Sequence, residues 1–134
     1  MSIQNQKTAV LLIAHGSRRV AANDDLVQLA SLVADRGGFE FVQVSYLELA
    51  EPTIFTGGRI CVEHGATRVL MLPYFLSAGV HVGSDLETQR KELAAEFPNV
   101  EFILCPHLGL HPMMVDIVLA RLQEGANSTS AVIP

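Results

Sequence analysis

The stretch Thr8-Ala9-Val10-Leu11-Leu12-Ile13-Ala14, stopped by His15-Gly16-Ser17, decides how the rest of the chain is read. It is a nearly continuous apolar run, as expected for a central strand covered on both faces. Working outward, residues 20–36 place Leu26, Leu29, Ala30 and Val33 at helical spacing, and Gly37-Gly38 ends that segment. Residues 39–46 are rich in β-branched and aromatic side chains and read as a second strand. Pro52 suits the first turn of a helix that runs to His64 and stops at Gly65. Residues 68–72 form a third strand closed by Pro73, and a loop punctuated by Gly79 and Gly83 follows. Helical pattern resumes over 84–97 and breaks at Pro98-Asn99; residues 100–104 read as a fourth strand and 111–123 as a last helix.

Strand and helix thus alternate four times, the pattern of a parallel sheet with helices on both faces. Right-handed crossovers leave few topologies. The expectation is an α/β fold: a small doubly wound parallel four-stranded sheet in the flavodoxin-like order 2-1-3-4. One domain spans residues 1–124, and the polar, small-residue segment 125–134 reads as a flexible C-terminal tail.

Composition bounds what such a domain does. A chain of 134 residues fits one domain with a real core. Hydrophobic residues at 49% and charged residues at 17% rule out disorder. The apolar runs are far shorter than the roughly 20 residues a spanning helix needs, and residues 1–7 show no leader pattern. A soluble cytoplasmic protein is expected, with no membrane partner. Net charge is −5, from 9 basic and 14 acidic residues, and no basic run exceeds the pair Arg18-Arg19. Nucleic acid is therefore not expected as a partner. Cys61 and Cys105 lie far apart without a CxxC spacing and read as reduced, buried thiols. The apolar excess in so short a chain points to a buried subunit interface.

Ligands of doubly wound sheets bind at the carboxyl ends of the strands, where the chain reverses direction across the sheet. In the order 2-1-3-4 that crevice lies between the first and third strands. His15 follows the first strand, Glu48 and Glu51 follow the second, and His81 lies in the loop after the third. Each has an ordinary structural reading. His15 could be a turn histidine bonded to a carbonyl, and Gly16-Ser17 could be turn and N-cap chemistry for the next helix. His81 could be a plain loop residue. Glu51 could favour the positive end of a helix, Glu48 could be a solvated turn residue, and Arg18 surface charge. His64, before Gly65, suits a helix C-terminus. Taken together they say more. Two imidazoles with open coordination positions hold a divalent transition metal loosely enough to hand it on. A free imidazole also serves as a base near neutral pH. Leu76 and Val80 offer apolar contacts to a flat ligand, and Arg18 could pair with ligand carboxylates.

The strand ending in His15-Gly16-Ser17-Arg18, the segment Leu72-Pro73-Tyr74-Phe75-Leu76-Ser77-Ala78-Gly79-Val80-His81, and Glu51-Pro52 between them carry a family resemblance. The chain resembles the short class II tetrapyrrole chelatases, the sirohydrochlorin cobalt and iron chelatases, over roughly residues 8–124. The resemblance implies insertion of cobalt(II), iron(II) or nickel(II) into sirohydrochlorin, in cobalamin or sirohaem biosynthesis, with the metal as substrate and no tightly bound cofactor. It implies that His15 binds the metal and accepts pyrrole protons, and that His81 is the second ligand. Glu51 matches a substrate-contacting carboxylate, and Leu76, Ser77, Ala78, Gly79, Val80 and His81 match a substrate-contacting loop. Glu48 could relay protons. A single domain implies a homodimer that supplies the second half of the cleft. No histidine-rich insertion precedes the fourth strand, and no cysteine cluster lies in the tail, so no iron–sulfur cluster is expected. Cys105-Pro106-His107-Leu108-Gly109-Leu110-His111-Pro112 resembles the family's last strand–loop segment and leaves open whether His107 or His111 touches ligand.

Three other readings fit parts of the pattern. A histidine phosphatase also places His-Gly after its first strand, but an arginine normally precedes that histidine, where this chain has Ala14. A metal or tetrapyrrole carrier would use the same histidines without ring chemistry. A structural module would need neither histidine.

Overall fold

The computed structural model describes residues 6–128. Its eight elements alternate as expected: β1 (Thr8–Ala14), α1 (Val20–Gly37), β2 (Phe41–Tyr46), α2 (Ile54–Glu63), β3 (Arg68–Pro73), α3 (Val80–Glu96), β4 (Glu101–Leu104) and α4 (Pro112–Ala126). The strands form one parallel sheet in the order β2-β1-β3-β4. The central apolar run is buried on both faces: Ala9, Leu11, Leu12 and Ile13 are fully enclosed.

Alternation along β1 splits its side chains between two cores. Ala9, Leu11 and Ile13 pack with Ile54, Cys61, Val69, Met71, Leu86, Leu93 and Phe102 under α2 and α3. Val10 and Leu12 pack with Leu26, Ala30 and Tyr46 under α1. Gly57 and Gly58 let α2 sit close: a Cβ at Gly57 would lie 2.8 Å from Leu11 Cδ1, and one at Gly58 2.7 Å from Leu93. Buried Ser45 donates its hydroxyl to the Leu12 carbonyl at 3.0 Å, so its burial leaves no orphan group.

Two expectations need correction. Pro52 is not in the first turn of α2; that helix starts at Ile54, its N-cap is Thr53, whose hydroxyl accepts from the Thr56 N–H, and the Glu51-Pro52 bond is cis. The tertiary amide makes a cis bond accessible at a proline, and helix-start reasoning does not register that option. The second concerns α3, which begins at Val80, four residues before the expected start at 84. The sequence 80–83 carries two glycines around it, which masked a helical turn capped by the extended Gly79. Val80 and His81 therefore belong to the first turn of a helix, not to a loop. At the other end α4 runs to Ala126. The tail residues 129–134 and the start of the segment read for a leader, residues 1–5, lie outside the described residues. No described helix is long and apolar enough to cross a membrane.

Candidate active site

Register fixes the rim. Ala14 pairs with Tyr46 across β1 and β2, and Ile13 with Pro73 across β1 and β3, so three strands end at one level. The residues that follow them, His15, Leu47-Glu48 and Tyr74-Phe75, emerge side by side at the carboxyl edge of the sheet. This is where the reversal of winding opens a crevice.

His15 is held from several directions. Its carbonyl accepts from the Glu48 N–H at 3.0 Å, and one residue earlier the Ala14 carbonyl accepts from Leu47 N–H at 2.9 Å. Its ring stacks on Phe75, with centroids 4.2 Å apart and planes 23° from parallel. Phe75 itself is buried, so the imidazole lies on a fixed aromatic floor while remaining exposed to solvent. Among the described residues, no carbonyl bonds the ring in the way the turn-histidine reading required. Gly16 follows with φ +98°, and a Cβ there would fall 1.7 Å from the Glu48 carbonyl oxygen. Only glycine permits both the backbone angle and that approach.

Ser17 is not the N-cap of α1. Its hydroxyl accepts from the Arg19 N–H at 3.0 Å, a short local turn, and Arg19 stands at the cap position. A residue that sequence reasoning missed does the anchoring. The Asn23 amide accepts from the Ser17 N–H at 3.1 Å and donates to the Ser17 carbonyl at 2.8 Å, clamping the loop to α1. Tyr46 then donates its hydroxyl to the Asn23 carbonyl at 3.2 Å. Burial first, and the charge of Asp24 second, push the Tyr46 phenol above its usual range, so it stays a donor. An asparagine near a helix start reads locally as capping chemistry, which is why spacing gave no hint of this clamp. Phe75 was likewise visible only as part of the loop.

Glu48 and Glu51 are exposed on the segment between β2 and α2. Since Thr53 caps the helix, Glu51 is not at the helix dipole in the way its structural reading supposed. The Pro52 carbonyl accepts from Tyr46 N–H at 3.0 Å, which ties this segment to the end of β2. Leu76, Ser77, Ala78, Gly79, Val80 and His81 form an exposed run on the far side of Phe75, the last two already helical. Arg18 is exposed beside Ser17. The structure thus brings His15, Glu48 and the Phe75 segment into direct contact. Glu51 and His81 lie on the two segments that flank them, without a bond to His15.

The remaining histidines have defined partners. His64 stacks on Phe41 at 3.8 Å and its Nδ1 lies 3.0 Å from the Ile60 carbonyl, the helix-end role expected of it. His111 caps α4, its Nδ1 accepting from the Met113 N–H at 3.1 Å. The His107 ring lies against Gly109, which has φ +52°. Both cysteines are free; burial pushes the Cys61 thiol up to about 12 and also raises Cys105, so both stay neutral. Among the described residues, no three His, Cys, Asp or Glu side chains gather into a ready metal cage. A groove of about 710 Å³ between α1 and α4 includes Leu76 in its wall but none of His15, Glu51 or His81.

The chain belongs to the CbiX family, whose model matches residues 9–125. It is 32% identical to the chloroplastic sirohydrochlorin ferrochelatase of Arabidopsis thaliana, over 86% of this chain and 51% of that protein. It is also 32% identical to the sirohydrochlorin cobaltochelatase of Priestia megaterium, over 90% of this chain and 39% of that one. The sirohydrochlorin chelatase SirB of Bacillus subtilis subspecies spizizenii, solved in complex with cobalt, superposes with a TM-score of 0.81 at 28% identity, covering 89% of this chain and 51% of SirB. The chain spans about half the length of these relatives, or less.

Proposed function

We propose that this domain is a sirohydrochlorin chelatase that inserts a divalent metal into the macrocycle in cobalamin or sirohaem biosynthesis. Cobalt(II) is the first choice of metal and iron(II) the second, and nickel(II) also accepts imidazole donors. The observation that carries this reading is the setting of His15: a solvent-facing imidazole fixed on Phe75 at the tip of the central strand, in a chain of the CbiX family. The metal is substrate, and the chemistry needs no resident cofactor or iron–sulfur cluster.

Insertion requires the macrocycle to lose two pyrrole protons as two metal–nitrogen bonds form. His15 and His81 first hold the ion between them, leaving coordination positions open for the ring nitrogens. As the metal passes to the ring, the imidazole lone pair of His15 is released and takes the two pyrrole protons in turn, passing the first on to water before it accepts the second. Ligand and base are therefore successive roles of one side chain. Glu48, whose backbone N–H holds the His15 carbonyl, is the carboxylate assigned to pass protons to water. Glu51 and the run Leu76 to His81 hold the macrocycle from either side, and Arg18 pairs with its peripheral carboxylates.

Glu51→Gln is expected to raise the KM for the macrocycle about five-fold, the size of one exposed charged contact, with little change in kcat or metal binding. Unchanged dependence of rate on macrocycle concentration would remove Glu51 from the site. Asn23→Ala releases the Ser17 clamp and, through it, His15. A roughly ten-fold lower kcat is expected from such misplacement, with KM for the macrocycle nearly constant. A change confined to thermal stability would make Asn23 structural only.

A homodimer in the cytoplasm is the working form in this reading. On one copy His15 and His81 sit on an open rim, and a second copy facing that rim would complete a cleft. The enzyme reading is tested by counting turnover under anaerobic conditions. A chelatase metallates many macrocycles per chain, whereas a carrier stops at one equivalent.

A further inference from the structure

Among the described residues, Leu49 is the one non-glycine residue with a positive φ, +66°. In that left-handed region a Cβ crowds the following carbonyl oxygen, so glycine, asparagine and aspartate occupy it far more readily than leucine. The chain turns there for a clear reason. Leu47 packs against the core under α2 and α3, and Ala50 against the core under α1. The two residues between them carry the backbone across the carboxyl edge of the sheet. Glu48 meets the His15–Gly16 corner on the way: its N–H bonds the His15 carbonyl at 3.0 Å, and its own carbonyl bars a Cβ at Gly16. Leu49 follows at once, joins neither core and is 52% exposed.

A turn alone does not account for a leucine. Glycine or asparagine makes the same turn with less strain, and an isobutyl group half in water gives little burial in return. Single exposed apolar side chains are ordinary, but Leu49 is not single. Val20 opens α1, Leu76 follows β3 and Val80 opens α3, and each is more than two-thirds exposed. All the strands are parallel, so the segments that follow them start at one edge, the edge that bears His15. Backbone strain tends to persist at ligand-holding residues, where the complex gains what the free fold gives up.

We propose that Leu49 is a specificity-determining contact for the macrocycle, its side chain meeting the apolar face of the tetrapyrrole beside His15. The inference rests on the chelatase reading above and adds a residue to its site. Binding completes the burial that the free domain lacks. The contribution of the leucine therefore appears in macrocycle affinity, not in folding or in metal binding.

Leu49→Asn and Leu49→Gly suit the backbone angle and remove the contact, whereas Leu49→Met keeps an apolar side chain of similar size. Metal-free sirohydrochlorin is titrated into each purified full chain and followed by its visible spectrum, and cobalt(II) affinity is measured separately without macrocycle. Leu49→Asn and Leu49→Gly are expected to raise the macrocycle Kd about five- to ten-fold, the effect of burying half a leucine side chain, with the cobalt(II) Kd unchanged. Leu49→Met is expected to bind the macrocycle nearly as the unaltered protein does. Should Leu49→Asn fail to fold, Leu49→Gly, with no Cβ to strain, decides. Unchanged macrocycle affinity in the folded variants overturns the contact and leaves the chelatase reading standing. A parallel loss of cobalt(II) affinity overturns it as well, since Leu49 would then act by placing His15, and so does a Leu49→Met as weak as Leu49→Gly. An unaltered protein that binds no sirohydrochlorin overturns both readings.

Discussion

If the proposed insertion is correct, His15→Ala is expected to lower its rate by about 10²- to 10⁴-fold, the range associated with loss of a positioned general base, and to leave the protein folded. The first half follows from the two successive roles proposed for the ring: without it the ion would lose one of two imidazole ligands, and the macrocycle its proton acceptor. The second half follows from exposure. The imidazole contributes to folding mainly through its stack on Phe75, a contact of about 0.5–1.5 kcal/mol. Its loss lowers Tm by a few degrees. The check is the initial rate of metallation beside a thermal melt. A variant that inserts metal at the unaltered rate removes His15 from the chemistry, and one that fails to fold shifts its role to stability.

Gly16→Ala has the largest expected effect on the fold. Two penalties coincide at that residue. Its φ of +98° is a region that residues with a Cβ rarely occupy, and the added Cβ would lie 1.7 Å from the Glu48 carbonyl oxygen. The carbonyl cannot step aside cheaply, because the Glu48 N–H is already bonded to the His15 carbonyl. A loss of about 2–3 kcal/mol is expected, or roughly 8–12 °C in Tm for a domain of this size. Insertion falls with it even at temperatures where the variant is folded, since His15 must move with the peptide that follows it. A melt within two degrees of the unaltered protein would show that the β2–α2 segment adapts, and that the close approach of the two loops is not required.

Much of the fold is legible in the sequence because apolar patterning dictates it. Thr8–Ala14 has the length and continuity of a doubly covered strand, and its observed bounds are those read from the residues. Alternation of elements and the handedness of crossovers leave only a few topologies, and the order expected among them, 2-1-3-4, is the one observed. The misread features are those where local signals compete. Gly79 and Gly83 read as loop punctuation, yet Gly79 is an extended cap that lets Val80 start a helix. Pro52 reads as a helix start, yet its peptide bond is cis and the helix waits for Thr53. Among the candidate site residues, His15 and His81 stand out in the sequence because a histidine beyond the carboxyl end of a strand is a chemical signal. Asn23 and Phe75 do not, because their part is defined by distance across the fold: the two bonds to Ser17, and the stack under His15.

In the function proposed for this domain, the two-histidine rim inserts metal catalytically. Its most direct test follows the visible spectrum of sirohydrochlorin mixed anaerobically with cobalt(II) or iron(II), with substoichiometric protein present. Unaltered protein, His15→Ala and His81→Ala run side by side. Conversion of the whole excess of macrocycle by the unaltered protein, with both variants near the uncatalysed rate, is the expected result. No acceleration by the unaltered protein with either metal, or full activity in both variants, would contradict it.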